Sequence, residues 1–284
     1  MNWEETILHA RNTEEYKQLI EQAYLDADLA RNVENFIRSD EFLETLNLIG
    51  KYFQREEASG KIKILDIGAG NGISSIAFAL KGFSVVSVEP DPSNTVGFGA
   101  INFLKNEYGL TDLFIDSSYG ESLAFNDESF DIVYARQAMH HAQDLDLFVS
   151  EAARVLKKNG LFITCRDHVA NDAKQKEIFL KTHPLQKFYH GENAFSIDEY
   201  QQAFFNAKLN VIAQFGHLDS VINYNPQTKN SIVNEFREVL ENKLHFKIPN
   251  QTHLNKFIFW LFKWKTNNLH NFAGRLYSFI AQKS

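Results

Sequence analysis

At 284 residues the chain is long enough for one large α/β domain with additions, or for two small domains. Its 44% hydrophobic and 23% charged residues are ordinary for a folded protein, and a formal net charge of −7 disfavours general nucleic-acid binding. The single cysteine, Cys165, excludes an internal disulfide; no cysteine–histidine cluster has zinc-site spacing, and no metal is expected. Residues 1–20 lack an apolar signal segment, and no apolar run approaches the ~20 residues that span a bilayer, so a cytoplasmic protein is expected. Charge is uneven. Residues 242–284 hold six lysines and Arg275 with no acid, a local +7, leaving 22 basic against 36 acidic residues elsewhere.

Residues 4–53 read as two or three helices, with Leu8, Tyr16, Leu19, Ile20, Ala23 and Tyr24 at roughly helical spacing and Phe36, Ile37, Phe42, Leu43, Leu46 and Ile49 likewise. Ser39-Asp40-Glu41 offers a cap. Gln54 to Lys61, with Arg55-Glu56-Glu57 and Ser59-Gly60, is polar enough to be a connector. Ile62 to Ile67 then reads as a buried strand, Gly68-Ala69-Gly70-Asn71-Gly72 as a tight turn, and Ile73 to Lys81 as a helix ended by Gly82. Phe83 to Val88 is a second strand, and it ends on Glu89. Strand, glycine turn, helix, strand and terminal acid describe a nucleotide-type cofactor site.

Glycine spacing narrows the ligand. A dinucleotide fingerprint is G-x-G-x-x-G, with amides facing a pyrophosphate. Here the spacing is Gly68-x-Gly70-x-Gly72, with Ile73 at the third position, and the Asp66 carboxylate precedes the turn. That suits a ligand with no phosphate and a cationic end, and Glu89 is placed to accept hydrogen bonds from a ribose diol. The run Ile64 to Gly72 closely resembles the first motif of class I S-adenosylmethionine-dependent methyltransferases. The resemblance implies S-adenosylmethionine as cofactor, with Asp66, Gly68, Ala69, Gly70, Gly72, Glu89 and Pro90 around it. It also implies that the N-terminal helices lie over the substrate side.

Past Glu89, Asp91-Pro92-Ser93 reads as a helix start leading to Tyr108, and Leu113 to Asp116 as a short strand. Gly120 to Tyr134 is similar to the family's adenine loop, its Leu-Pro-Phe and its strand beginning Phe-Asp, with Ala124 at the proline and Tyr119 at the adenine-contacting Asp. Tyr119 is expected to stack on the base or to bond it through its hydroxyl, with Gly120 and Arg136 completing the cofactor set. A helix from Leu145 to Leu156 follows, and Glu151 to Gly160 matches the family's helix-to-strand segment with Asn159 for its common glycine. Leu161 to Thr164 is read as the fifth strand, ended by Arg166-Asp167-His168.

Helices are expected at Asp172–Leu180 and Ser196–Asn206, the latter with Ser196 and Glu199 in capping-box register. Between them lies a polar, aromatic loop, His183-Pro184 and Phe188 to Asn193. Leu209 to Phe215 reads as strand six and Arg275 to Lys283 as an antiparallel last strand. The expected fold is therefore α/β: a Rossmann-like, seven-stranded, mostly parallel sheet with helices on both faces. Its parts are an N-terminal helical extension or lid (1–60), a core (61–216 and 271–284), and a helical insertion covering the substrate side (217–270). In that insertion Phe257 to Phe262 is apolar all round and flanked by Lys256, Lys263 and Lys265. Burial or homodimer contact is the expected role, with membrane contact through 254–265 as the second reading.

Methyl transfer needs alignment of a nucleophile, and an oxygen nucleophile gains from a base, most often histidine. His140 and His141 follow the fourth strand beside the expected methyl position, and His168, with Arg166, Asp167, Tyr189 and His190, forms a second set. Asp219, Asn223 and Tyr224 are candidates to shape the acceptor site. The expected activity is methyl transfer to a small-molecule or glycan-type acceptor, O-methylation favoured, with the basic aromatic insertion suiting an anionic or lipid-linked one. A non-catalytic cofactor-binding scaffold is the alternative. A nicotinamide oxidoreductase or epimerase would want G-x-G-x-x-G and a Tyr-x-x-x-Lys pair, and neither is present.

Overall fold

Among the described residues four α-helices precede the first strand: α1 (Trp3–Arg11), α2 (Lys17–Gln22), α3 (Leu29–Arg38) and α4 (Asp40–Tyr52). Short polar side chains set three of the starts. Asn2 and Glu5 form a capping box, Asp28 accepts from the Arg31 N–H, and Ser39 accepts from the Phe42 N–H. A computed structural model of the chain describes residues 1–54, 60–268 and 274–284. The connector residues Arg55-Glu56-Glu57 and Ser59, the end of the insertion at 269–270 and the start of the last core segment at 271–273 lie outside the described residues.

The αβ alternation follows as β1 (Lys63–Ile67), α5 (Ile73–Leu80), β2 (Ser84–Val88), α6 (Phe98–Glu107), β3 (Leu113–Asp116), β4 (Phe130–Arg136), α7 (Leu145–Val155) and β5 (Leu156–Val169). Then come α8 (Ala173–Thr182), α9 (Gln186–Tyr189), α10 (Ile197–Asn206), β6 (Leu209–Phe215), α11 (Val221–Tyr224), α12 (Lys229–Leu244), α13 (Thr252–Asn268) and β7 (Arg275–Lys283). The seven strands form one sheet in the order β3-β2-β1-β4-β5-β7-β6, parallel except where β7 runs against β5 and β6. The order reverses between β1 and β4, so a crevice opens at their carboxyl ends, the ligand position of open α/β sheets.

Side chains alternate across a strand, so a run apolar at every position must be covered on both faces. Leu65, Ile67, Val133, Ala135 and Phe162 pack with Phe148, Val149, Tyr200 and Phe204 of α7 and α10. Their neighbours Ile64, Ile132, Tyr134, Leu161 and Ile163 point the other way, onto Val33, Phe36, Phe42, Ile76 and Phe78 of α3, α4 and α5.

Two boundaries differ from expectation. α6 begins at Phe98 rather than Asp91, because side chains hold the intervening backbone in turns: Glu89 Oε1 accepts the Asp91 N–H (2.9 Å) and Asp91 Oδ1 the Ser93 N–H (2.8 Å). β5 is a 14-residue strand, not a four-residue one, with left-handed breaks at Asn159 and Arg166. Arg166, Asp167 and His168 therefore lie inside it, past a register slip between Thr164 and Asp167. Asn159 occupies the left-handed region that asparagine tolerates better than most residues.

The helix at Phe257–Phe262 is buried along one face only. Ile258 packs with Val233 and Phe236 of α12, and the Phe236 and Phe262 rings stack at 4.4 Å. Phe257, Trp260 and Trp264 remain exposed. Lys263 pairs with Asp219 at 2.7 Å. Among the described residues no helix is long and apolar enough to cross a membrane.

Buried charge ties α4 to the sheet. Glu41, fully buried, receives Arg136 Nε at 2.5 Å and Nη2 at 3.2 Å, and Arg166 Nη1 lies 3.5 Å from its second oxygen. The Arg136 guanidinium also lies over the Tyr24 and Phe36 rings. Removing the shared anion strands two cations out of water, so Glu41→Gln is expected to cost about 3–5 kcal/mol of unfolding free energy. Urea denaturation followed by circular dichroism measures this, and a loss below about 1 kcal/mol would mean the arginines find other partners.

Candidate functional site

The crevice is floored by the glycine turn after β1. Gly68, Gly70 and Gly72 all have positive φ, at 68°, 55° and 84°. At two of them space also forbids a side chain: a Cβ on Gly68 would lie 2.6 Å from Ala138 Cβ, and one on Gly72 2.8 Å from Ile101 Cγ1. Four of the turn's five amides are already engaged. Gly68 and Ala69 N–H donate to Val88 O, Gly72 N–H to Ala69 O, and Gly70 N–H to Glu89 Oε2 at 2.7 Å. No ring of outward amides is left for a pyrophosphate.

Two carboxylates flank the turn. Asp66 is buried at the end of β1, where Oδ2 accepts from Ser74 Oγ and Ser75 Oγ at 2.6 Å each. Its Oδ1 has no partner among the described residues. Burial pushes the Asp66 carboxyl up to about 6, although both serines and nearby Arg136 oppose the rise. Glu89, clamped by the Gly70 and Asp91 amides, is raised by burial to about 7. The site is therefore acidic and donor-poor, which fits a cationic ligand with hydroxyls and not a phosphate; an unpartnered Asp66 oxygen fits a ligand donor.

The other residues expected around a cofactor divide into three groups. Ala69 is buried in the turn and Pro90 starts the loop held by Glu89. Tyr119 stands 63% exposed beyond β3, an open aromatic face, whereas Gly120 is a packing glycine whose Cβ would meet the Phe148 ring at 2.3 Å. Arg136 is directed away into its pair with Glu41 and donates from Nη1 to Gln137 Oε1.

A cover lies over this end of the sheet. Phe188 meets the His9 ring at 4.8 Å, and Trp3 meets Tyr189 at 5.1 Å. Asn71 of the glycine turn donates to Tyr24 O at 2.7 Å. The Tyr189 hydroxyl is raised by burial and then by the charges of Glu192, Asp91 and Glu89.

The structure brings His140, His141 and His168 together. His140 and His141 form a 3₁₀ turn after β4, their rings 4.1 Å apart, and the His140 and His168 rings are 4.8 Å apart. His140 Nδ1 lies 3.0 Å from Asp167 Oδ1, which also accepts the His140 backbone N–H. Burial, then the neighbouring histidines, holds His140 well below the usual imidazole range, and burial takes His168 down to about 3. Burial raises Asp167 to about 8. His141 is exposed, with Nδ1 2.9 Å from Gly191 O. His190 is an exposed, left-handed helix cap and joins no histidine contact among the described residues. Asn223 is buried and bonds Ser278 Oγ and the Phe215 and Gly216 carbonyls, while Asp219 accepts the Gly216 N–H.

Two participants were not singled out from sequence. Glu41 looked like part of a helix cap, and Glu192 like one residue of a polar loop. Glu192 Oε2 lies 3.8 Å from His140 Nε2, and its Oε1 3.7 Å from His183 Nδ1. Their spacing carries no motif; only the loop's density of histidine and acid pointed there.

A family model described as a methyltransferase domain matches residues 65–164. An uncharacterized methyltransferase, YcgJ of Bacillus subtilis, is 30% identical over 179 residues, 63% of this chain and 69% of that protein. A ubiquinone biosynthesis O-methyltransferase of Azorhizobium caulinodans is 35% identical over 104 residues, 36% of this chain and 39% of that enzyme. The fold is shared with phosphoethanolamine N-methyltransferase 2 of Haemonchus contortus, solved with phosphomonomethylethanolamine and S-adenosylhomocysteine. The TM-score is 0.57 at 15% identity, over 100% of this chain and 60% of that one.

The raised Asp66 carboxyl has a stability signature. Its folded value of about 6 stands above the ordinary aspartate value of 3.8, so its ionisation in the folded chain costs stability as pH rises through that window. Asp66→Asn removes that cost and keeps an acceptor for the serines. The variant is expected to be about 3 kcal/mol more stable than the parent at pH 8, with the difference gone below about pH 4. Urea titrations at the two pH values measure it.

Proposed function

The chain belongs to the class I S-adenosylmethionine-dependent methyltransferases, and we propose that it methylates an oxygen of a small-molecule acceptor, with glycan-type hydroxyls the favoured class. The observation that carries the oxygen preference is His141. A carbonyl can only accept, so the 2.9 Å contact with Gly191 O puts the proton on Nδ1 and leaves an Nε2 lone pair on an exposed ring. That nitrogen would take the proton of an acceptor hydroxyl as its oxygen attacks. The likeness to the Azorhizobium O-methyltransferase supports the same preference.

S-adenosylmethionine, when bound, supplies an electrophilic methyl on a sulfonium sulfur that leaves as a neutral thioether. Glu89 is the residue for its ribose diol, Asp66 for the cationic end, and Tyr119 for stacking on the base, above the turn formed by Gly68 to Gly72. His140 and His168 are secondary base candidates, because both rings gather around the Glu192 carboxylate, with His140 Nε2 3.8 Å from its Oε2. We assign residues 1–60 the role of a lid that, with Phe188 and Tyr189, excludes water during transfer. We assign 217–270 to the acceptor side, where the exposed Lys256 would suit an anionic or lipid-linked molecule.

Calorimetric titration with S-adenosylmethionine, S-adenosylhomocysteine and NAD in parallel is the first test. Micromolar binding of the first two and none of NAD is expected; NAD binding alone would overturn the reading. In a radiolabelled methyl-transfer screen over phenolic and sugar hydroxyls, His141→Ala is expected to lower kcat by about 10²–10⁴-fold with S-adenosylhomocysteine affinity unchanged. Full turnover in that variant would remove His141 as the base.

A further inference from the structure

Beside the proposed methyl-transfer site, electron-pair donors converge with no proton to share. His168 Nδ1 lies 3.3 Å from Gly274 O, and His140 Nδ1 3.0 Å from an Asp167 oxygen that already accepts a backbone N–H. A carbonyl can only accept and the Asp167 oxygen already accepts a backbone N–H, so the proton of each ring is assigned to Nδ1, which turns the Nε2 lone pairs elsewhere. His140 Nε2 faces Glu192 Oε2 at 3.8 Å, too far for a hydrogen bond, with an acceptor on each side. The donor atoms of His140, His168 and Glu192 all lie within 4.8 Å of one another. His183 Nδ1, 3.7 Å from Glu192 Oε1, is buried with no hydrogen-bond partner among the described residues.

We infer that His140, His168 and Glu192 form a binding site for a divalent first-row transition-metal ion, with His183 as the nearest fourth donor. Two imidazoles and a carboxylate are a donor set suited to zinc, cobalt(II) or iron(II). The surroundings match as well. Metal-bound histidines hand their other N–H to a carboxylate or carbonyl that fixes the tautomer, and Asp167 and Gly274 O stand in those places. Tetrahedral zinc, with ligands at about 2.1 Å, sets donor atoms about 3.4 Å apart, so the cluster must contract by roughly an ångström. The give lies in Glu192 and His183, which belong to the segment after α8, whereas His140 and His168 are anchored at the ends of β4 and in β5. The ion thus clasps the 183–192 cover onto the sheet. The four residues come from three elements with unrelated spacing, which is why no sequence motif reveals them.

The test uses the full chain, stripped with EDTA, dialysed and titrated with Zn²⁺ and with Co²⁺. The Tm and the Co²⁺ visible absorption are followed, and S-adenosylhomocysteine binding is measured separately. One ion per chain, a rise in Tm and Co²⁺ ligand-field bands are expected. His168→Ala and Glu192→Gln should each weaken binding by at least about 100-fold, and Asp167→Asn by about 10- to 100-fold. His253→Ala, a histidine on the exposed start of α13, should change nothing. No saturable binding of either ion to the folded parent overturns the assignment, and so does binding that survives Glu192→Gln. Glu192 is a loop residue, so that variant keeps the test open should His168→Ala fail to fold. Loss of S-adenosylhomocysteine binding with metal binding intact would overturn the proposed activity and leave the metal site standing.

Discussion

One of the two left-handed residues in β5 sets where the buried charged groups of this protein lie. At Arg166 φ is 62°, and the pairing with β7 slips beside it. A break of this kind re-aims the side chains on either side of it. Arg166 goes to Glu41 and the carbonyls of Ile222 and Asn225, which holds α4 and α11 against the sheet. Asp167 goes to the opposite network, where it fixes the His140 ring. Without the break, strict alternation would place neither partner where it is. A non-glycine residue in this conformation carries local strain, offset here by hydrogen bonds and an ion pair that only this geometry allows.

The same sheet edge concentrates buried polar groups that an ordinary core would avoid. Asp66, Glu89 and Asp167 have all been taken out of water, and burial raises each of them. The histidines beside them are shifted the other way, toward neutrality. Such opposed shifts in a crevice mark a site shaped for ligands more than for stability. The apolar packing of both sheet faces supplies the rigidity that holds them there.

Much of this was legible in the residues. The glycine turn with Asp66 and Glu89 pointed to the carboxyl ends of β1 and β2 as the place where buried acids gather, and the apolar strand runs pointed to a sheet covered on both faces. Asn159 stood where a left-handed residue was needed, and Ser196 with Glu199 formed the capping box that their spacing implied. What stayed hidden depended on three-dimensional pairing. Asp91-Pro92-Ser93 looks like a helix start, yet Glu89 captures the Asp91 amide and delays α6 to Phe98. Nothing near Arg166 in sequence announces a bulge, because no local pattern obliges an arginine to adopt positive φ. Glu41 read as part of a helix cap and Glu192 as one residue of a polar loop, since their partners are distant in the chain, in β4 and β5 for Glu41 and after β4 for Glu192.

The distribution of tryptophan has an optical consequence. Of the chain's three indoles, Trp260 and Trp264 sit on the outer face of α13, and Trp3 alone packs against Tyr189 in the cover. Intrinsic emission is therefore a mixture in which two water-exposed fluorophores mask the informative one. Replacing the α13 pair with phenylalanine would leave one reporter whose wavelength and quenching follow the hydration around Tyr189, letting any opening of the Trp3–Tyr189 contact be timed without an attached dye.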